Sequence, residues 1–303
     1  MKLSKTREEL VKMYIDSLKE GEIPWKKRWI NESNINGISK MEYHGINQLI
    51  LNYFSYIERY TDNRWFTYNQ IKDMGLKLEN AKNKGVPIEF WSAYNFIHRT
   101  KYSFKEYNEY IEHHPDEKNN FRIILRTAFV FNGNLVKGLK PPERKTKHIE
   151  PSKYIENIIK KLDINYSEIG NKAYYDPVND KIVLPPKEQF IDKYSYYATQ
   201  LHEISHATGN SNRLNRGLEN NLKEDYAREE LIAEISSSFL MQKLNIPAST
   251  EHYNNHKAYI KSWIDILENK NSELFNAISE ANKIYEYLND ADKNRIKNIE
   301  KER

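Results

Sequence analysis

The sequence predicts an α+β chain in two parts, a mixed first half and a mainly helical second half that includes a small β-hairpin. Three observations carry this reading. Apolar residues recur at helical spacing at both ends of the chain. Runs rich in branched and aromatic residues, VPIEFW (86–91) and RIILRTAFVF (122–131), read as strands. The segment KGLKPPERKTKHIE (137–150) joins prolines to charges with no apolar period, as a linker does. The boundary is placed there, giving domains 1–140 and 150–303, and 303 residues suit two domains of ordinary size.

From Thr6 to Glu20, Leu10, Val11, Met13, Tyr14 and Leu18 keep close to a helical period, and Gly21 and Pro24 end the helix. A second helix is expected around Asn47 to Tyr60. Beyond the linker, SKYIENIIKKLD reads as a helix and AYYDPVNDKIVLPP as two strands around a turn. A helix from Lys193 to Thr208 carries the stripe Tyr194, Tyr197, Ala198, Leu201 and Ile204, with Gly209 as its stop. Another spans Glu224 to Leu244. The stretches HKAYIKSWIDILEN and SELFNAISEANKIYEYL form two more, before a charged tail that reads as frayed.

Composition bounds the function. Hydrophobic residues make up 39% and charged residues 30%, enough for packed cores under a hydrophilic surface. No apolar run is long enough for a membrane span, and the start MKLSKTREEL lacks a signal-peptide core, so a cytoplasmic location without membrane contact is expected. The chain has no cysteine, so any metal must be held by His, Asp or Glu. Residues 1–140 hold 23 Lys+Arg against 17 Asp+Glu, and residues 141–303 hold 24 against 26. That excess in the first half is too small to identify a polyanion partner.

The stretch LHEISHATGNSNRLNR (201–216) sets His202 and His206 four apart, one helical turn above each other, with Glu203 beside them. Two imidazoles and one carboxylate around zinc, or another divalent metal such as manganese, leave an open position for a water. Glu203 is then the general base. A third ligand must come from elsewhere, and YAREELIAEISSSFL (226–240) offers Glu230 and Glu234 on one helical face beside the apolar Ala227, Leu231, Ile235 and Leu240. Carboxylates so placed need a partner, since desolvating them unpaired costs several kcal/mol. Glu230 is read as the ligand and Glu234 as the acceptor that orients a histidine, with Glu229 as the competitor in the adjacent register. The plain alternative is a solvated acidic face.

In the first half, Trp25, Trp29, Tyr43, Trp65, Phe66, Tyr68, Phe90 and Trp91 are interleaved with Lys26, Lys27, Arg28, Arg64, Lys82 and Lys84. Flat rings beside cations suit single-stranded DNA, where bases stack and phosphates pair, but a hydrophobic core uses the same rings. Composition leaves both open.

HEISHATGNSNRLNR followed by YAREELIAEISSSFL resembles the zincin-like domain of ArdC-type antirestriction proteins, and also segments of plasmid primases and phage polyvalent proteins. IPWKKRW, YHGINQLIL, RWFTYNQIKDMG, NKGVPIEFW and FNGNLVKGL resemble the single-stranded-DNA-binding N-terminal domain of the same family, leaving residues 92–120 as an apparent insertion. The reading NGNLVK departs from the family's last motif. The resemblance implies an α+β DNA-binding domain followed by a gluzincin- or SprT-like zincin domain. In it His202, His206 and a glutamate of EELIAE hold the metal and Glu203 is the catalytic acid/base. Choosing Glu230 follows the helix-face argument and the four-residue spacing of ligand and orienter in gluzincins. The DNA contacts expected are Lys26, Arg28, Trp29, Tyr43, Asn47, Arg64, Trp65 and Lys84. The implied function is protection of incoming mobile DNA from host restriction, with single-stranded DNA and a host restriction enzyme or other protein substrate as partners. The rivals are a non-catalytic DNA coat with a structural metal and a DNA-dependent SprT-like protease.

Overall fold

The computed structural model describes residues 5–24, 32–142, 149–218, 223–246 and 257–289. The chain divides into two compact units. One joins residues 1–33 and 43–61 to 143–303, and the other holds 34–42 and 62–142. The linker at 137–150 therefore marks only one of the places where the chain passes from one unit to the other.

The smaller unit is built on a five-stranded sheet of order β1-β2-β6-β4-β5. Its strands are β1 (Ile35–Asn36), β2 (Arg64–Thr67), β4 (Val86–Asn95), β5 (Thr100–Ser103) and β6 (Phe121–Asn132). The two runs predicted as strands form its long central pair, β4 and β6, antiparallel from Val86↔Val130 to Asn95↔Phe121. Two short helices pack on it, each started by a reciprocal capping box. Thr67 and Gln70 cap α3 (Tyr68–Asp73), and Ser103 and Glu106 cap α4 (Phe104–His113). A second, two-stranded sheet pairs β3 (Lys77–Leu78) with β7 (Val136–Lys137). Phe66, Ile71 and Val136 form one apolar cluster with Phe131, and Ala93, Tyr107 and Phe121 form another under α4. Residues 92–120, read as an insertion, finish β4 and supply the edge strand β5 and helix α4.

Gly37 lies against the buried Phe66 ring so closely that a Cβ there would fall inside it. Gly37→Ala is expected to cost about 1–3 kcal/mol through overpacking, read as a lower midpoint in urea unfolding.

The larger unit contains α1 (Lys5–Lys19), α2 (Gly45–Ile57), α5 (Pro151–Leu162), α6 (Lys193–Ala207), α7 (Lys223–Lys243), α8 (Lys257–Asn269) and α9 (Ser272–Asn289). Beside them lies a sheet of order β8-β10-β9, formed by β8 (Asn165–Glu168), β9 (Tyr174–Asp176) and β10 (Lys181–Leu184). The predicted hairpin is β9–β10, and β8 adds to it in parallel, leaving β9 at an edge. Helix α7 is the centre of the unit. Its residues from Glu230 to Gln242 are buried on every side, so no single apolar stripe describes it. It packs against α6, α8 and α9. Small residues allow the close approach to α6, where Ser237 Oγ donates to the Ala198 carbonyl at 2.9 Å. On another side, Asn52 of α2 and Gln242 of α7 exchange side-chain hydrogen bonds at 3.0 and 3.1 Å. Among the described residues, no helix is long and apolar enough to cross a membrane.

Candidate metal centre

Helix α6 begins at Asp192, whose side chain accepts from the Ser195 N–H, and it presents both histidines on one face. His202 Nε2 and His206 Nε2 stand 3.0 Å apart, and Glu230 of α7 offers one carboxylate oxygen 3.4 Å from the first and the other 3.5 Å from the second. These three side chains converge as one possible ligand set. Ligand atoms about 2.0–2.2 Å from an ion at tetrahedral angles lie about 3.3–3.6 Å from one another. Each Glu230 oxygen stands at about that distance from one ring nitrogen, and the two ring nitrogens are slightly closer together.

The outer atoms of both rings are also held. His202 Nδ1 stands 3.2 Å from Glu234 Oε1, and His206 Nδ1 stands 3.2 Å from Glu229 Oε1. With Nδ1 protonated, each ring turns its Nε2 lone pair inward, the arrangement a metal-bound imidazole uses. Burial by itself would lower the pKa of each imidazole. The surrounding carboxylates outweigh it, keeping His202 well above its usual value and raising His206 to about 9. Glu203, Glu229, Glu230 and Glu234 outnumber the nearby Arg216, and a divalent cation offsets that excess. The donor set therefore fits a divalent metal.

Sequence reading placed Glu234 behind a histidine but left Glu229 as a misregistered rival for Glu230. The structure gives Glu229 a separate position, behind His206, where Arg216 grips it. Arg216 Nε donates to Glu229 Oε2 at 3.0 Å and Nη2 to Oε1 at 2.6 Å, while the same guanidinium donates to Thr208 Oγ1 and to the Ser205 carbonyl, each at 2.8 Å. Arg213 works alongside it, donating to the Ala207 and Leu162 carbonyls and forking onto Asp180 at 2.8 and 2.7 Å. The two arginines of NRLNR thus satisfy carbonyls at the end of α6 that have no helical partner. Gly209 has no left-handed backbone. A Cβ there would meet Arg216 Nη2 and Leu218, so the glycine makes room for this return of the chain.

Arg216→Gln would take the guanidinium from the largely enclosed Glu229 carboxylate and leave it with His206 alone. The expected result is a loss of about 3–5 kcal/mol in stability and roughly 10–100-fold weaker metal binding, checked by denaturant unfolding and by metal titration.

Glu203 sits beside the triangle, 7% exposed. Burial, only partly offset by His202 and His206, raises its pKa, with the backbone of Tyr175 in edge strand β9 acting weakly against that rise. The cleft over this group has a volume of about 1190 Å³ and is lined by Tyr174 and Tyr175 on one side and Tyr226 and Tyr259 on another.

The expected DNA contacts fare differently. Lys26, Arg28 and Trp29 lie outside the described residues. Trp65 is a correction: it is 0% exposed and its Nε1 donates to Asn34 Oδ1 at 2.7 Å, so its ring is core and offers no face to a base. Arg64 is a second correction, because its side chain is 11% exposed and its guanidinium is committed to Asp62 and to the Lys140 carbonyl. Tyr43, Asn47 and Lys84 are half-buried.

A helix bearing two histidines and a glutamate, met by a carboxylate from the next helix and bordered by an edge strand, defines a zincin-like centre. Comparison with known families agrees. The zincin-like metallopeptidase model matches residues 153–280, and the model for the N-terminal domain of the anti-restriction factor ArdC matches residues 4–131. The chain thus carries an ArdC-type N-terminal domain and a zincin-like metallopeptidase domain in succession. The crystal structure of the antirestriction ArdC protein from plasmid R388 in its Mn(II)-bound form has a TM-score of 0.72 and 26% identity, covering 93% of this chain and 96% of that one. Its metal-free form superposes with the same score at 24% identity, covering 94% and 97%. The DNA primase TraC of Escherichia coli is 32% identical over 93% of this chain, which spans only 27% of that primase. An uncharacterised protein, y4eC, of Sinorhizobium fredii is 27% identical, covering 96% of this chain and 94% of its own length.

Proposed function

We propose that this chain binds single-stranded DNA and, at the centre on α6 and α7, acts as a zinc- or manganese-dependent metallopeptidase in the cytoplasm, protecting incoming mobile DNA from host restriction. The observation that carries the reading is the convergence of His202, His206 and Glu230 with a buried Glu203 beside them. The name of the R388 protein supports the antirestriction role, and its Mn(II)-bound form supports a divalent metal.

A bound divalent metal would polarise a substrate carbonyl and acidify a water. The protein's own residues supply the rest. His202, His206 and Glu230 would hold the ion, and Glu234 and Glu229 fix the two rings. Glu203 takes the proton from the attacking water and returns it to the leaving nitrogen, a role suited to a carboxylate whose pKa burial has raised. Strand β9, at the edge of its sheet, offers backbone groups to an extended peptide in the cleft. The protein substrate is a host restriction enzyme or another DNA-bound protein.

The test is transfer of an unmodified plasmid into restricting and non-restricting recipients, with the wild type and with Glu203→Gln. Protection lost with the variant, together with wild-type cleavage of the restriction enzyme in vitro, supports the peptidase. Full protection by Glu203→Gln with no cleavage by either protein leaves a DNA coat around a structural metal.

A further inference from the structure

One face of the smaller unit's sheet carries an arrangement absent from the set of DNA contacts read from the sequence. In the β4–β6 register Phe90 lies opposite Arg126 and Tyr94 opposite Arg122, and β5 sets Lys101 beside Tyr94. Strand residues two apart share a face, so these five side chains stand on the same side, and Phe96 continues the row past the end of β4. Phe90 and Phe96 are 44% and 42% exposed. The Arg122 guanidinium lies 5.8 Å from the centre of the Phe96 ring, and Arg126 Nε donates to Ser92 Oγ at 2.8 Å, which holds it over the strands. No Asp or Glu occupies this face of β4, β5 or β6. Among the described residues, none of the three cations meets a carboxylate. The opposite face differs. There Ala93 and Phe121 are covered by α4, and Phe66 and Phe131 pack with Ile71 of α3, while Trp91 and Phe129 between the two helices stay exposed without a cation row beside them.

We propose that this open face is the single-strand binding surface, with bases stacking on Phe90, Tyr94 and Phe96 and phosphates held by Lys101, Arg122 and Arg126. Rings and cations alternate across three strands, and Phe90 and Tyr94, like Arg122 and Arg126, stand four residues apart, about 13 Å along their strands, near the span of two phosphate steps in an extended strand. A duplex keeps its base faces stacked and has nothing to give these rings. An acidic peptide would satisfy the cations and leave the rings unused. The chemistry selects an unpaired nucleic-acid strand. The proposal rests on the strand-binding part of the function proposed above and gives it a location.

The experiment measures binding of full-length protein to a fluorescent oligo(dT), and to a duplex of equal length, by anisotropy over a salt series. Phe90→Ala with Tyr94→Ala should weaken oligo(dT) binding by roughly 10-fold or more per ring lost. Lys101→Gln, Arg122→Gln and Arg126→Gln together should make the salt slope shallower by about 2. Trp91→Ala, an exposed ring on the opposite face, should leave both unchanged. Thermal melting checks that each variant is folded, and if Arg126→Gln disturbs the sheet, the exposed pair Lys101 and Arg122 is tested instead. If the wild type binds no oligo(dT) at low salt, the strand-binding reading falls and the proposal with it. If the wild type binds and the face variants bind equally well, prefer the duplex, or lose no more than Trp91→Ala, strand binding stands and this location for it is overturned.

Discussion

Glu203→Gln is expected to lower peptide hydrolysis by roughly 10²–10⁴-fold, the usual contribution of a positioned general acid–base, while metal uptake stays at the wild-type level. Glutamine keeps the volume, but it cannot carry the proton between water and leaving nitrogen. Glu203 is outside the triangle formed by His202, His206 and Glu230, so its loss leaves the ligand atoms in place. Steady-state hydrolysis of a peptide library and metal analysis of the purified variant are the two measurements. Equal loss of metal and activity would show that Glu203 is a ligand, and unchanged hydrolysis would remove it from the chemistry.

The second large effect is expected at the third ligand. With free metal about 100-fold above its dissociation constant, the wild type should gain about 2.7 kcal/mol, which for a unit of this size is roughly 5–10 °C in melting temperature. Glu230→Ala should abolish that gain and weaken metal binding beyond the roughly 10–100-fold expected when only an outer partner of a ligand is removed. Glu229→Ala is the comparison. It should fall in that smaller range, because Glu229 reaches the site through His206. If Glu229→Ala abolished binding while Glu230→Ala only weakened it, the two roles would have to be exchanged.

The metal centre was legible to the extent that helical periodicity reaches. His202 and His206 are paired by their spacing alone, and Glu230 and Glu234 share a face because they too are four apart. Glu229 was not legible, since its partner Arg216 lies 13 residues earlier and returns to it only because Gly209 leaves space at the end of α6. Nothing periodic signals such a return. In the first half, sequence named the two long strands, β4 and β6, but not the short ones or which side chains are buried. Trp65 and Arg64 read as a ring beside a cation, the pattern of a nucleic-acid contact, yet one fills the core and the other is tied to Asp62. The row of Phe90, Tyr94, Arg122 and Arg126 depends on the pairing of strands about 30 residues apart, and register cannot be read from either strand separately. Strand β8 escaped notice for a similar reason, being four residues long and defined by its parallel neighbour.

Because α1 and α2 belong to the same compact unit as α5 through α9, the two N-terminal helices are structural parts of the unit that carries the candidate metal centre. Severing the gene at the proline-rich connection would deprive α7 of the Asn52 amide that caps its Gln242 and would expose the apolar sides of α1 and α2 in the other product. The two compact units are therefore not two consecutive halves of the sequence. Exchange of either half between relatives must preserve the fit of those leading helices against their distant counterparts.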